Sequence, residues 1–190
     1  MRLAPIAVCF ALVLAAACSS PPKERYYTLT AAPATAAPGG TAPSIAVGPV
    51  TVPEAVDQPQ FVVQAGANEV SIYEFQRWAS PLKGEIARVI AANLAQELGT
   101  TRAWSFAQGT LGKADYQVLV DVQRFDSALG EAVTIEALWS VRPAAGGAPK
   151  TGRSSVREPV SGKEFDALVA AHSRALARVS RDIAGAIRMP

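Results

Sequence analysis

Cysteine and histidine are nearly absent from this sequence. Its 190 residues include two cysteines, Cys9 and Cys18, and a single histidine, His172. Any active site of the Ser-His-Asp type would therefore have to use His172. That residue recurs with apolar residues at spacings of three and four, so we predict a packed core histidine with one hydrogen bond rather than a catalytic one.

Net charge and the common nucleotide-binding and hydrolase motifs are also lacking. The 18 basic and 16 acidic residues leave a formal charge of +2, which argues against nucleic-acid binding, because that function needs a strongly basic surface. The sequence contains neither a glycine-rich phosphate loop ending in Lys-Ser/Thr nor a Gly-x-Ser-x-Gly nucleophile turn. The carboxylates are scattered along the chain. We predict no enzymatic activity, no cofactor and no metal site.

An export signal is present at the N-terminus. Arg2 precedes an apolar run that begins at Leu3, small residues lead directly into Cys18, and polar residues follow. This is the order of a secretory signal, and the run is shorter than the roughly 20 residues of a transmembrane helix. Small residues before a cysteine resemble the lipobox of bacterial lipoproteins, although Leu14 lies four rather than three residues before Cys18.

We therefore predict that residues 1–17 are removed, that Cys18 is acylated, and that residues 18–24 form a tether. The alternative is an ordinary signal peptide with an incidental cysteine. With Cys9 removed and the sulfur of Cys18 acylated, no thiol remains for a disulfide or a zinc site. Because the net charge is small, the membrane contact would come from the lipid anchor.

Residues 25–190 are predicted to form a single α+β domain, in which a largely antiparallel sheet carries two amphipathic helices on one face. Strands are predicted near residues 25–30, 44–52, 61–64, 69–73, 101–107, 116–125, 131–142 and 151–157. The second strand loses its alternation at Gly48 and Pro49, which indicates a bulge. Residues 31–43 are rich in alanine and proline. They predict a flexible connector that either joins the first strand to the sheet or extends the tether.

The two helices are predicted from apolar residues that recur with helical period. The first has Ser80 as N-cap and Pro81 in its first turn, and it ends at Gly99. The second begins with a capping box formed by Ser161 and Glu164. The predicted solvent face of the first helix comprises Lys83, Glu85, Arg88, Gln96 and Glu97.

Several sequence blocks, in this order and spacing, resemble the PqiC-type family of ABC-transport auxiliary lipoproteins. They are Cys18 with its preceding small residues and residues 25–29, 45–50, 52–53, 57–62, 75–82, 137–139 and 168–184. The similarity covers nearly all of the chain after the signal. One departure is Gln58, because the family often has arginine before the Pro-Gln pair.

The resemblance implies a non-enzymatic lipoprotein that faces the periplasm and works with an MCE-domain protein of an intermembrane lipid transport system. It implies that this protein tethers or docks the periplasm-spanning component. Ser19 is not the aspartate that marks retention in the inner membrane, so the inner leaflet of the outer membrane is expected. No catalytic residue and no cofactor are implied, and a homo-oligomer would suit a docking collar.

Two segments are predicted to contact the partner. Trp78 and Arg77 precede the first helix, and tryptophan and arginine are enriched at interface hot spots. Core packing is the alternative for Trp78. The second segment is the turn formed by Asp57, Gln58, Pro59 and Gln60.

Two other functions compete with docking. One is a carrier that shelters a lipid or other amphiphile in an apolar pocket between the sheet and the helices. The other is an envelope hydrolase that uses His172. The pocket and the accessibility of the histidine distinguish these functions from docking.

Overall fold

Eight β-strands and two α-helices make up the described part of the chain. The computed structural model describes residues 22–33, 42–106 and 112–189; Cys18, the predicted signal peptide and connector residues 34–41 lie outside the described residues. The strands are β1 (Arg25–Tyr27), β2 (Ile45–Thr51), β3 (Gln60–Gln64), β4 (Val70–Trp78), β5 (Ala103–Ser105), β6 (Tyr116–Ala128), β7 (Ala132–Pro143) and β8 (Lys150–Pro159). The helices are α1 (Leu82–Leu98) and α2 (Phe165–Arg188).

The strands form two mixed sheets. A five-stranded sheet has the order β5-β2-β6-β7-β8, in which β2 is parallel to both neighbours and the other pairs are antiparallel. A three-stranded sheet has the order β1-β4-β3, with β1 parallel and β3 antiparallel to β4. The predicted α+β class is confirmed, but there are two mixed sheets rather than one largely antiparallel sheet. β2 and β5 run parallel because α1 lies between them in the chain and provides the crossover that parallel neighbours need.

The bulge predicted in β2 is confirmed. The register between β2 and β6 shifts between Val47 and Val50, and Gly48 has a φ of 126°, a conformation that favours glycine. A side chain at this position would also bring its Cβ within 2.9 Å of the Cβ of Phe106. Glycine is therefore required there by conformation and by space.

Helix α1 ends where predicted but starts later. Gly99 has a φ of 63° and caps the helix in the left-handed conformation. Pro81, not Ser80, is the N-cap, and it has a ψ of 127° with no side-chain cap hydrogen bond. The proline is therefore extended and lies outside the helix, so the prediction of Ser80 as N-cap was wrong.

Helix α2 also starts later than predicted. Its N-cap is Glu164, again without a side-chain cap hydrogen bond, and the backbone N–H of Leu168 donates to the carbonyl of Glu164 at 3.3 Å. Gly162 has a φ of 151°, which is incompatible with a helical turn. The capping box predicted at Ser161 was wrong because this glycine interrupts it.

The two helices pack side by side on one face of the five-stranded sheet. Apolar side chains from both layers fill the interface, and each contributes about 1.5–3 kcal/mol when fully buried. The sheet provides Ile45, Val47, Val118, Val120, Ile135 and Ala137, and the helices provide Ile86, Ile90, Leu94, Leu168, Leu176 and Ile183. The hydrophobic core thus lies mainly between these two layers.

Aromatic rings attach the small sheet to the rest of the core. Phe61 stacks on Trp78 with ring centroids 4.1 Å apart, and Tyr27 and Phe165 each meet Phe61 edge-on at 5.4 Å. Such pairs contribute about 0.5–1.5 kcal/mol each beyond the burial of their area. The cluster fixes the end of β4 against the first turn of α2.

Residues 28–32, here called the N-terminal strap, cover part of α1. The Oγ1 of Thr28 and the backbone N–H of Leu29 donate to Glu85 Oε2 at 2.5 and 3.1 Å. Arg88 donates to the same carboxylate oxygen and to the carbonyl of Leu29, both at 2.7 Å. Glu85, predicted on the solvent face of the helix, is instead buried beneath the strap.

The far end of the strap is held by both helices. The N–H of Thr30 donates to Ser173 Oγ at 3.1 Å, and the N–H of Ala32 donates to Asn93 Oδ1 at 2.9 Å. Gln96 donates to the carbonyl of Ala32 at 2.7 Å. Ala32, the second residue of the predicted connector, therefore has hydrogen-bond partners on α1 through both its N–H and its carbonyl.

Gly152 is required by close contact with a tryptophan. A Cβ added there would lie 2.2 Å from Cζ2 of Trp139, and that ring is held because its Nε1 donates to Ser154 Oγ at 3.1 Å. We expect Gly152→Ala to lower the free energy of unfolding by about 1–3 kcal/mol. Gly84, in α1 with open space around it, provides the control, since Gly84→Ala should raise that energy by about 0.5–1 kcal/mol. Urea unfolding of both variants tests this, and equal stability of Gly152→Ala and the unsubstituted protein would contradict it.

Candidate functional site

The turn before β3 and the segment between β4 and α1 form the walls of one surface cleft. Its volume is about 420 Å³. The N–H of Trp78 donates to the carbonyl of Pro59 at 2.7 Å, which joins the two walls. The lining consists of Asp57, Gln58, Pro59, Trp78, Ala79, Ser80, Pro81 and Leu82. The cleft therefore unites four of the six residues that were predicted to contact a partner.

Trp78 forms the buried floor of this cleft. Only 6% of the residue is exposed, and its ring packs on Phe61 and, edge-on at 6.2 Å, on Phe125. Trp78 is thus a core residue, as the alternative interpretation held, and it also contributes to the lining of the cleft. The exposed apolar surface of the cleft comes from Pro59, Ala79 and Pro81.

The rim of the cleft is polar. Lys83 and Asp57 form an ion pair at 2.6 Å, with 46% and 36% of their side chains exposed. Gln58 donates to the carbonyl of Ala55 at 2.8 Å. An apolar centre with a charged rim is the arrangement typical of protein–protein interfaces.

Arg77 and Gln60 lie next to the cleft rather than in its lining. They face each other in the register between β3 and β4. Arg77 pairs with Glu24 at 3.5 Å, and Gln60 donates to Glu74 at 3.2 Å. These two predicted contact residues therefore lie on the small sheet beside the cleft.

His172 is a core residue, as predicted. It is 0% exposed, its ring stacks on Phe125 with centroids 4.1 Å apart, and its Nε2 lies 2.8 Å from Ser127 Oγ. Burial lowers the pKa of His172 to about 3, so the ring is neutral at pH 7. Ser127 lies 45 residues away in the chain, and no sequence signal pointed to it.

The neutral ring leaves one nitrogen without a partner. Nδ1 of His172 is buried and makes no hydrogen bond within the described ranges. If Nε2–H donates to Ser127, the unpaired Nδ1 is an acceptor rather than an N–H, which is the less costly arrangement. A hydrolase that used this ring would need the core to open before substrate could reach it.

The lipid-carrier pocket was predicted to lie between the sheet and the helices. The core side chains described above fill this interface. An open, mostly apolar hollow of about 530 Å³ lies elsewhere, on the other face of the five-stranded sheet. Pro49, Leu119 and Leu138 contribute to its lining. Among the described residues, packed core side chains therefore occupy the place where the carrier hypothesis expected its cavity.

The described ranges also limit two other kinds of site. No helix in the described ranges is both long enough and apolar enough to cross a membrane. Across the same ranges, no three His, Cys, Asp or Glu side chains are grouped as metal ligands would be. Carboxylates form ion pairs instead, for example Glu158 with Arg178 at 2.5 Å.

Similarity to solved structures agrees with this fold. A crystal structure of an uncharacterized protein is 23% identical, with 87% of this chain and 99% of that chain aligned and a TM-score of 0.70. Protein XCC0632 from Xanthomonas campestris is 22% identical, with 85% and 93% aligned and a TM-score of 0.64. The PelC dodecamer from Paraburkholderia phytofirmans is 14% identical, with 75% and 93% aligned; its TM-score of 0.42 is too low to support an argument.

Comparison with protein families identifies the family to which the chain belongs. No curated protein matches it. Residues 27–184 match the family described as ABC-type transport auxiliary lipoprotein component, a range that includes the cleft and most of both sheets and helices. A lipoprotein component of such a transport system acts in the cell envelope. The chain therefore belongs to the family of ABC-type transport auxiliary lipoproteins.

Proposed function

We propose that this protein is a non-enzymatic docking subunit of an MCE-type intermembrane lipid transport system. In this proposal acylated Cys18 anchors it to the inner leaflet of the outer membrane, and the domain faces the periplasm. Family membership supports the lipoprotein and transport parts of the proposal. Residue 19 is serine and not the aspartate that marks retention in the inner membrane, which supports placement in the outer membrane. Two acyl chains give a stable attachment, whereas one would be marginal.

The cleft is where we place the contact with the MCE-domain partner. The supporting observation is that Asp57, Gln58, Pro59 and Trp78, which were selected from sequence, line one cavity. Its floor is preorganised because the Trp78 ring stacks on Phe61 and meets Phe125 edge-on, and a preorganised site loses less entropy on binding. Arg77 and Gln60 would extend the contact onto the small sheet. A homo-oligomer that repeats this cleft remains a prediction from the resemblance.

A substitution that fills the cleft tests this placement. Ala79 is exposed and lines the cleft, so Ala79→Arg should obstruct it without changing the core. We expect affinity for the MCE-domain partner to fall about tenfold or more, as for other substitutions at the centre of an interface. The measurements are co-purification of the native lipoprotein from membranes and titration with the purified partner.

Ser155→Arg is the matched control, because Ser155 is exposed on β8 within the other sheet. It adds the same side chain and should leave affinity unchanged. Equal loss in both variants, or no loss in Ala79→Arg, would remove the cleft from the proposal. Failure of the unsubstituted lipoprotein to recover any MCE or ABC component would contradict the proposed function itself.

A further inference from the structure

Exposed apolar side chains are concentrated on two adjacent strands. The described ranges contain eight exposed large hydrophobic residues, and five of them lie on β1 and β4. Single exposed residues of this kind are normal on protein surfaces, whereas a contiguous patch marks an interaction site. The five residues are Tyr26, Val70, Ile72, Tyr73 and Phe75.

Four of these five side chains share the outward face of the small sheet. Tyr73 points inward, because its ring meets Phe165 at 4.9 Å. Side chains alternate along a strand, so Ile72 and Val70 point outward, and they are 51% and 56% exposed. Tyr26 is 59% exposed and lies on the face opposite the buried side of β1.

Phe75 completes this outward face. It is 43% exposed. The register between β3 and β4 shifts between Tyr73 and Arg77, so the alternation counted from Tyr73 does not extend to Phe75. Phe75 instead lies two residues before Arg77, which is paired in register with Tyr26. Tyr26, Val70, Ile72 and Phe75 are called the outer apolar face below. No strand pairs with β4 on the β1 side before Gln76, within the residues that the structure describes.

The chain that leads to Cys18 leaves the domain beside this face. β1 is parallel to β4, with Arg25 opposite Gln76, so residues 22–24 lead back toward the side of Phe75 and Ile72. Three residues separate Cys18 from Pro22, and the four steps between these two Cα atoms span at most about 14 Å. An acylated Cys18 would therefore hold the outer apolar face within a short distance of the membrane.

Charges around this face balance. The nearby ionic residues are Lys23, Arg25 and Arg77 as cations and Glu24, Glu69 and Glu74 as anions. Three charges of each sign give no net attraction to an anionic surface. Contact with a membrane would therefore depend on the apolar side chains and on Tyr26, whose ring suits the lipid headgroup region.

We propose that the outer apolar face rests on the surface of the bilayer that holds the lipid anchor, and that this contact fixes the orientation of the domain. The inference depends on the proposed acylation of Cys18. The anchor provides attachment, and the face provides orientation. Apolar residues on such surfaces insert about 5–10 Å into the headgroup region.

A single-cysteine label can measure this contact in the full-length lipoprotein. Ile72→Cys is labelled with the environment-sensitive fluorophore NBD and reconstituted into vesicles of phosphatidylethanolamine and phosphatidylglycerol that contain nitroxide lipid. We expect quenching about threefold stronger than for Ser155→Cys, whose position on β8 is exposed and belongs to the other sheet. Adding Phe75→Glu to the Ile72→Cys protein should reduce quenching to the control value while the protein stays bound to the vesicles.

Each other outcome has a distinct meaning. Equal quenching at positions 72 and 155 would overturn the proposal, and so would a blue shift at position 72 without nitroxide quenching, which would indicate a second copy of the chain. Quenching that is lost when phosphatidylcholine, which has no net charge, replaces the phosphatidylglycerol would contradict the apolar basis of the contact. The protein without an added cysteine should not react with the label, since Cys9 is removed and Cys18 acylated. A reaction would contradict the acylation on which the orientation depends and would overturn the proposal.

Discussion

The free energy of unfolding should fall as the pH drops below about 6.5, with a slope that approaches about 1.4 kcal/mol per pH unit near pH 5, because of His172 alone. Burial lowers the pKa of His172 to about 3 in the folded protein, whereas an unfolded histidine titrates near pH 6.5. Between these values the unfolded chain binds a proton that the folded chain does not. Stability therefore rises with pH across this window and becomes independent of His172 above about pH 7.

Two measurements check this prediction. Because the chain contains one histidine, its imidazole proton signals in NMR belong to His172 without further assignment, and they should not titrate above pH 5 in the folded protein. Urea unfolding at several pH values gives the slope. His172→Gln removes the titrating group and should flatten the slope. Titration of the native signal near pH 6.5, or an unchanged slope in the variant, would contradict the prediction.

Glu85→Ala should lower the free energy of unfolding by about 2–4 kcal/mol at pH 7. Burial raises the pKa of Glu85, but hydrogen bonds from Arg88 and Thr28 together with the charge of Arg88 outweigh it and hold the pKa below its usual value. The substitution leaves the buried N–H of Leu29 without its acceptor. The substitution does not leave the Arg88 cation buried without a partner, because the Arg88 side chain is 46% exposed and can reach water. This limits the loss of stability.

Denaturation at pH 7 and amide hydrogen exchange test the role of Glu85. Exchange at Leu29, Thr30 and Ala32 should accelerate in Glu85→Ala, because the strap loses its central acceptor. Glu97→Ala on the same helix is the control, since Glu97 forms a surface ion pair with Arg188 at 3.7 Å and such pairs contribute about 0–1 kcal/mol. Unchanged exchange in Glu85→Ala would show that the strap is held by other contacts.

Local patterns predicted the elements that depend on neighbouring residues. The β6–β7 hairpin, the bulge at Gly48 and the cap at Gly99 each arise from residues close together in the chain. The predicted starts of both helices were wrong. Gly162 interrupts the predicted capping box of α2, and Pro81 is extended rather than helical at the start of α1. The division into two sheets was not predictable, since β1 pairs with a strand about fifty residues away.

The candidate site shows the same limit. Trp78 and the 57–60 turn were predicted separately, and the hairpin that follows the turn brings them together. Glu85 was assigned to solvent because helical periodicity describes the helix alone, and it cannot show that a distant segment covers the polar face. Ser127 and His172 could not be paired from sequence for the same reason.

The attachment of β1 also determines how the protein would respond to mechanical tension. Under the proposed anchoring, a pull on Cys18 acts along β1, whose three residues pair with the last three residues of β4. A pull along a strand loads its hydrogen bonds in shear, so they must break together rather than one by one. Tyr27 is opposite Trp78, and Trp78 is also the floor of the cleft. Tension between the membrane and a partner bound in the cleft would therefore cross this short ladder first, and behind it the strap, whose hydrogen bonds to Glu85 and Ser173 pass the load to both helices.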